Sequence, residues 1–134
     1  MGIDYRIDDD VIIVTIHGVV FYEDVAEVFD KVASDSAFRK PARILFDGRF
    51  SEYGPPLTDI HALADRLGSS RAFGGSCWAM VAAPDSLMYG LGRMFGSFLE
   101  IRGLRGEHFT DLDKARKWLR RCRRATSPIK SQPL

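Results

Sequence analysis

Asp47 is the residue whose type and position best suit chemistry in this chain of 134 residues. It follows a short apolar run, Ala42–Phe46, which is typical of a strand buried on both faces, and it precedes Gly48. A carboxylate at the end of such a strand could accept a phosphoryl group, but that chemistry also needs acids after the first strand and a lysine after the last. Asp8–Asp10 precede their strand instead, and no lysine follows the last predicted strand before Lys114. We therefore predict that Asp47 caps a turn at Gly48.

Other residues capable of catalysis or metal binding are scattered along the chain. His17, His61 and His108 fall on different predicted elements, and none has a second His or Cys at metal-ligand spacing. No Gly-x-Ser-x-Gly sequence is present to expose a nucleophilic serine. The sequence therefore predicts a protein that is not an enzyme and that needs no metal or cofactor.

The third predicted helix carries unusually many apolar residues and glycines. Gly90, Gly92 and Gly96 lie inside it, and each interior glycine costs about 0.5–1 kcal/mol relative to alanine. Close approach of another backbone or of a ligand would explain them. The helix can be core, line a pocket for a small apolar ligand, or form a homodimer contact. The residues concerned are Met88, Leu91, Gly92, Met94, Phe95 and Phe98.

The segment from Gly48 to Leu57 is the longest irregular stretch and contains Arg49 and Tyr53. It follows a strand at the carboxyl edge of the predicted sheet, where open α/β sheets bind ligands. Long loops at that edge tend to carry function. We therefore predict that Asp47, Arg49 and Tyr53 form the ligand-binding or interface surface together with the third helix.

Hydrophobic periodicity predicts the elements that must position these residues. Strands are predicted near Tyr5 and at 11–16, 42–47, 77–83 and 106–109, and helices at 21–34, from Thr58, from Asp85 or Ser86, and from Thr110 or Asp111. This order predicts a single α/β domain over residues 1–124, with a mixed, mostly parallel sheet of about five strands, an antiparallel edge hairpin and four helices. Residues 125–134 are predicted to be a disordered tail. The residues that should be buried are Phe29, Leu45, Leu63, Val81 and Trp118.

The charge distribution and the cysteine content indicate which classes of partner and which cellular compartment fit this chain. No acidic residue follows Asp113, whereas eight basic ones do. This basic C-terminal segment could make weak contact with an anionic membrane, at about 1 kcal/mol per basic residue. The alternative is that its cations are solvated and favour the carboxyl end of the last helix. The acidic remainder of the chain argues against nucleic-acid binding. Cys77 and Cys122 are not expected to form a disulfide, and no segment approaches the roughly 20 apolar residues of a membrane span. We therefore predict a cytoplasmic protein.

The order of elements resembles the SpoIIAA-like family, small bacterial proteins related to STAS domains and, in fold, to CRAL-TRIO lipid-binding domains. The positions that carry the resemblance are Gly18, Glu23-Asp24, Met94-Phe95, His108-Phe109 and Trp118-Leu119. The resemblance covers the chain up to about Leu119. It implies a bacterial binding or regulatory domain, and it favours a small lipid-like ligand.

Anti-anti-sigma factors of this kind carry an Asp-Ser pair at the start of the second helix, and a partner kinase phosphorylates that serine. The corresponding segment here contains no such pair, and its nearest hydroxyl groups are those of Ser51 and Thr58. We therefore expect neither residue to be phosphorylated. The alternative function that the resemblance implies is an interaction module that acts through a regulatory protein or a homodimer.

Overall fold

The computed structural model describes residues 2–52 and 57–122, and in these ranges five strands and four α-helices follow one another along the chain. The strands are β1 (Gly2–Asp8), β2 (Val11–Gly18), β3 (Arg43–Ser51), β4 (Cys77–Val81) and β5 (Arg105–Phe109). The helices are α1 (Tyr22–Ser34), α2 (Leu57–Gly68), α3 (Leu87–Ile101) and α4 (Leu112–Arg121), with a short 3-10 helix (Arg71–Phe73) before β4.

The strands form one sheet in the order β1-β2-β3-β4-β5. The β1 strand pairs antiparallel with β2, and the other neighbouring strands pair in parallel. Each parallel connection crosses over through one helix, and right-handed crossovers in a constant direction place those helices on the same face. The predicted α/β architecture, including the antiparallel edge hairpin, is confirmed.

The two faces of the sheet are covered unequally. Helices α1, α2 and α3 cover one face, where Trp78 lies among Phe29, Phe46 and Phe95 in the larger core. The opposite face is covered by α4, which buries Leu119 against the sheet. Because alternate residues of a strand point to opposite faces, the buried strands are apolar at nearly every position, as the sequence indicated.

Four of the five residues predicted to be buried have exposed fractions of 0–7%. They are Phe29, Leu45, Leu63 and Val81. The prediction for Trp118 is wrong, because this residue packs at the margin of the core under α4 and is only half-buried. Its ring packs on Phe109 and lies under the guanidinium of Arg105.

Cys77 and Cys122 form a disulfide, which the sequence analysis did not expect. The bond joins the start of β4 to the residue after α4, and both cysteines are buried on the α4 face. The two residues meet because α4 runs back across the sheet from the end of β5. The prediction of a cytoplasmic location depended partly on free thiols, and that argument no longer holds.

None of the helices within residues 2–52 and 57–122 is long and apolar enough to cross a membrane. The predicted tail, residues 125–134, lies outside the described residues.

Helix starts agree with capping chemistry in three cases. Ser86 accepts a hydrogen bond from the Tyr89 amide at the start of α3, and Asp111 accepts from the amide of Asp113 at the start of α4. The carboxylate of Asp24 accepts from the amide of Phe21 before α1. Helix α2 begins at Leu57, so Thr58 lies in its first turn and not at the predicted capping position.

Candidate functional site

A cavity of about 70 Å³ lies between the sheet and the three helices that cover it, at the carboxyl ends of β2 to β5. Such a volume corresponds to roughly five water molecules. The sheet contributes Ile16, Phe46, Gly48, Met80 and Val81, and Ala82 follows β4. Helix α3 contributes Met88, Leu91, Gly92 and Phe95. The β2–α1 loop and α1 contribute Val20, Phe21, Tyr22 and Val25, and α2 contributes Ile60 and Leu63. The lining is therefore predominantly aliphatic and aromatic.

Five side chains with polar groups also border the cavity: Tyr22, Ser51, Asp59, Tyr89 and His108. All five are partly exposed, so they lie where the cavity meets solvent. The rings of Tyr89 and His108 meet edge to face with their centroids 5.2 Å apart. An apolar interior with a few convergent polar groups is the usual composition of a small-molecule site.

Glycines bring α3 close to the sheet beside this cavity. A Cβ atom at Gly92 would lie 3.3 Å from Cβ of Met80, and one at Gly96 would lie 3.0 Å from its Cε. A Cβ atom at Gly106 of β5 would come within 2.8 Å of the Gly96 Cα atom. The predicted close approach therefore holds at Gly92 and Gly96. At Gly90 an added Cβ would meet no heavy atom of the described chain within 4 Å, so this glycine faces open space.

The structure separates the α3 residues that the sequence analysis grouped together. Four of them line the cavity: Met88, Leu91, Gly92 and Phe95. Met94 is 38% exposed on the outer side of the helix. Phe98 packs edge to face on His61 of α2, with ring centroids 5.0 Å apart. One helix therefore contributes to a cavity, an outer surface and a helix–helix contact.

Asp47 accepts a hydrogen bond from the Arg49 amide two residues on, as predicted for a capping aspartate, but it does not end the strand, because β3 continues past Gly48 to Ser51. The ladder between β2 and β3 shifts here: Thr15 pairs with Asp47, whereas His17 pairs with Phe50. This shift is a β-bulge, in which an extra residue is accommodated without ending the strand. The Asp-Gly pair, which indicated a strand end in the sequence, marks the bulge instead.

The Asp47 carboxylate is buried and bound to Arg49. The Arg49 Nε and Nη2 atoms lie 3.0 and 2.9 Å from Oδ1 and Oδ2 of Asp47, and the Arg49 amide also donates to Oδ1. The side-chain hydrogen bonds with Asp47 raise the pKa of the Arg49 guanidinium. The carboxylate is thus held in a bidentate ion pair.

This ion pair lies on the α4 face of the sheet and not in the cavity. Leu45 packs in the core under α4, so Asp47, two residues later on the same strand, points to that side. The Arg49 guanidinium lies 5.0 Å from the centre of the Phe50 ring, which stacks on His17. Asp47 and Arg49 therefore form a group separate from the α3 residues. Tyr53, the third predicted residue of the loop, lies outside the described residues.

We expect Arg49→Ala to lower the free energy of unfolding by about 2 kcal/mol, because the buried Asp47 carboxylate would keep only one backbone amide as a partner. The estimate is below the value for a fully buried pair because the Arg49 side chain is 33% exposed. Urea denaturation monitored by circular dichroism measures the loss. Arg120→Ala is the control, since Arg120 is exposed on α4 and lies in neither the cavity nor the ion pair. Equal losses for the two variants would contradict the structural role of the pair.

The two predicted hydroxyl groups occupy different environments. Ser51 ends β3, borders the cavity and lies with its Oγ atom 3.4 Å from the Gly18 carbonyl oxygen. Thr58 is exposed on α2. Whether a kinase modifies either residue stays a prediction.

Neither a metal site nor the basic side chains of α4 belong to the cavity in the described part of the chain. Within residues 2–52 and 57–122, no three His, Cys, Asp or Glu side chains come together to hold a metal ion. The basic side chains of α4 are on the other face of the sheet, and Lys114, Lys117, Arg120 and Arg121 are exposed there.

Sequence reasoning missed the part of the cavity formed at the start of α1. Val20, Phe21 and Tyr22 lie between the end of β2 and the first turn of α1, and Phe21 is 59% exposed although it borders the cavity. Met80 of β4 was also missed, because a strand that is apolar throughout gives no signal for the residue that faces a cavity. The available signal in the sequence was Phe21, an aromatic residue at the predicted start of the first helix.

Comparison with solved structures identifies a neighbour of the whole domain. An uncharacterised protein of the DUF3478 family from Shewanella loihica PV-4, which has a SpoIIAA-like fold, matches with a TM-score of 0.57. The match has 18% sequence identity and covers 88% of this chain and 92% of that one. No protein-family model and no curated protein matches the chain. The chain therefore has a SpoIIAA-like fold, as the resemblance in the sequence implied.

Proposed function

We propose that this protein is a non-enzymatic binding module of the STAS-related type that takes a small, uncharged, largely apolar molecule into the cavity under α3. The observation that carries the proposal is the apolar cavity at the carboxyl ends of the parallel strands, framed by Met80 and Met88. Open α/β sheets bind ligands at this edge. Methionine side chains are flexible and polarizable, so they adapt to a guest of irregular shape.

The lining limits the chemical class of the ligand. The apolar walls suit a short alkyl chain or one aromatic ring, because the cavity volume is only about 70 Å³. Ser51, Tyr89 and His108 can exchange hydrogen bonds with a hydroxyl or carbonyl group at the opening. Asp59 at the same opening would repel a carboxylate or phosphate. The best candidate is thus a neutral amphiphile with a single polar group.

Two features favour binding over catalysis. Asp47, the buried carboxylate in the described chain, is bound to Arg49 and lies on the face away from the cavity. The ligating side chains do not converge on a metal site within the described ranges. Catalysis needs a nucleophile in contact with a base. At the opening, the Ser51 Oγ atom contacts the Gly18 carbonyl oxygen and His108 Nδ1 lies 3.3 Å from Glu107 Oε1, and the predominantly apolar lining supports a binding role.

The four methionines of the chain provide a direct test, because they are Met1, Met80, Met88 and Met94. In protein labelled with ¹³C-methyl methionine, we expect 1-octanol to shift the methyl signals of Met80 and Met88 saturably and to leave that of Met94 unchanged. Met94 is on the outer side of α3 and reports non-specific binding. Octanoate should bind more weakly than 1-octanol, because Asp59 opposes its charge. Equal shifts at all of the methionines, or none at Met80 and Met88, would refute the proposal.

A matched pair of glycine variants sharpens this test. Gly48→Val places a side chain in the cavity beside Met88 Cε, which would lie 3.1 Å from the new Cβ atom. We expect it to weaken octanol binding about tenfold or more, which corresponds to about 1.4 kcal/mol. Gly90→Val makes the same change where the helix faces open space, so octanol should bind to it as to the wild type.

A further inference from the structure

Helix α3 carries a second apolar stripe on the side away from the cavity. Leu87, Met94 and Ile101 are 68%, 38% and 77% exposed, respectively. They recur at every seventh position, and the exposed residues Gly90 and Ser97 lie between them. This seven-residue repeat is the one that packs one helix lengthwise along another.

We propose that this stripe, which we call the α3 seam (Leu87, Gly90, Met94, Ser97 and Ile101), is a homodimer interface in which the α3 helices of two copies pack antiparallel about a two-fold axis. The inference does not depend on the proposed function, because the cavity is lined by the opposite side of α3. A two-fold dimer needs a surface that is complementary to itself.

The shape of the seam meets that requirement. When the helices are antiparallel with Met94 opposite Ser97 of the second copy, Gly90 lies opposite Ile101. Each of the four layers from Gly90 to Ile101 then pairs a large side chain with a small one, and Leu87 extends past the end of α3 of the second copy, which is at Ile101. Gly90 leaves an open notch for the isoleucine, since a Cβ atom there would meet no heavy atom of the described chain within 4 Å. The Ser97 hydroxyl donates to the Arg93 carbonyl of its own helix at 3.2 Å, so it brings no unsatisfied donor into the contact.

The charges beside the seam are complementary in the same register. Arg93 and Glu100 are exposed and immediately precede Met94 and Ile101, so they lie on one flank of the seam. A two-fold axis brings this flank of one helix against the same flank of the other. At a rise of 1.5 Å per residue, Arg93 is then offset by only about 3 Å along the axis from Glu100 of the second copy. Symmetry repeats the pair, and such flanking pairs determine the partner and its orientation.

The sheet edge beside α3 is partly protected against the addition of a strand. The backbone amides of Gly106 and His108 on the edge strand β5 donate to the carboxylates of Glu100 and Glu107. Side chains that occupy the hydrogen-bonding groups of an edge strand prevent the addition of another strand. This protection favours association through the helix over pairing of β5 with another strand.

The length of the α3 seam determines how tightly the proposed dimer should associate. A helix of 15 residues is about 22 Å long, and one such helix buries less than the roughly 800 Å² per partner of a standard interface. The dimer should therefore dissociate on dilution. Sedimentation velocity from micromolar to millimolar concentration should follow the wild type from monomer to dimer.

Reversing the charge of Arg93 or Glu100 distinguishes the proposed antiparallel dimer from dimers formed through other surfaces. We expect Arg93→Glu alone and Glu100→Arg alone to be monomeric at millimolar concentration, because each places like charges together. An equimolar mixture of the two variants should dimerise, because both pairs then join opposite charges. Ile101→Asp should be monomeric with or without a partner, and thermal unfolding of each variant checks that it is folded.

The outcomes that overturn the proposal are a wild type that remains monomeric at millimolar concentration, a dimer that survives Ile101→Asp, and a mixture that does not restore the dimer. Arg93 is exposed, so Arg93→Glu tests the contact even where Glu100→Arg weakens the fold by losing its hydrogen bond to the Gly106 amide. Gly90→Val should weaken the dimer while Gly48→Val leaves it intact, which separates this proposal from the ligand site.

Discussion

Reduction of the Cys77–Cys122 disulfide should lower the free energy of unfolding by about 4 kcal/mol. The bond closes a loop with a sequence separation of 45 residues, and in the chain-entropy model a loop of that length contributes about 4 kcal/mol by restricting the unfolded chain. The effect is large because typical domains are stable by only about 5–15 kcal/mol. The disulfide also holds α4, a helix of 10 residues that would be marginal in isolation.

Guanidinium denaturation with and without a phosphine reductant measures this loss. The control is the double variant Cys77→Ala, Cys122→Ala, which should show a comparable loss and no further response to the reductant. Hydrogen exchange should increase first in α4, because α4 covers one face alone while three helices cover the other. An unfolding midpoint that does not respond to reduction would contradict the expected role of the disulfide.

Much of the fold was predictable because its signals are local. The apolar stretches that became β3 and β4, and the helical stripe of α1, each report burial through residues adjacent in sequence or on one helix face. The disulfide could not be predicted in this way. Its cysteines are 45 residues apart, and they meet only because α4 returns across the sheet to the start of β4.

The candidate site was predictable only in part. The apolar pattern of α3 indicated that the helix has contacts on more than one side, but it could not assign Leu91 to the cavity and Met94 to solvent. That assignment depends on the rotation of α3 about its own axis relative to the sheet. The close backbone approach of Gly96 to Gly106 fixes which side of α3 faces the sheet. Asp47 was placed with α3 because both lie near one sheet edge, whereas the alternation of β3 directs Asp47 to the other face.

Phe95→Asp should abolish folding. Phe95 is 3% exposed, and its ring meets those of Phe46 and Trp78 edge to face, with centroids 6.4 and 5.8 Å away. Removal of a buried Phe side chain costs about 3–5 kcal/mol, and an unpaired buried carboxylate adds several kcal/mol. The sum is comparable to the whole stability of a typical domain. From the sequence alone, Phe95→Asp could be chosen as a test of a surface contact. The aromatic contacts of Phe95 show that the variant would instead disrupt the core.

Circular dichroism and the soluble yield of the variant measure this effect. Met94→Asp is the matched control, because it introduces the same carboxylate on the outer side of the same helix, where Met94 is 38% exposed, and it should fold normally. Phe95→Leu should also fold, with a loss of roughly 1.5 kcal/mol or less if neighbouring side chains repack. A folded Phe95→Asp with a cooperative transition near that of the wild type would show that α3 is held less tightly than its contacts indicate. Because α3 separates the cavity from the seam, both proposals depend on that helix being fixed in place.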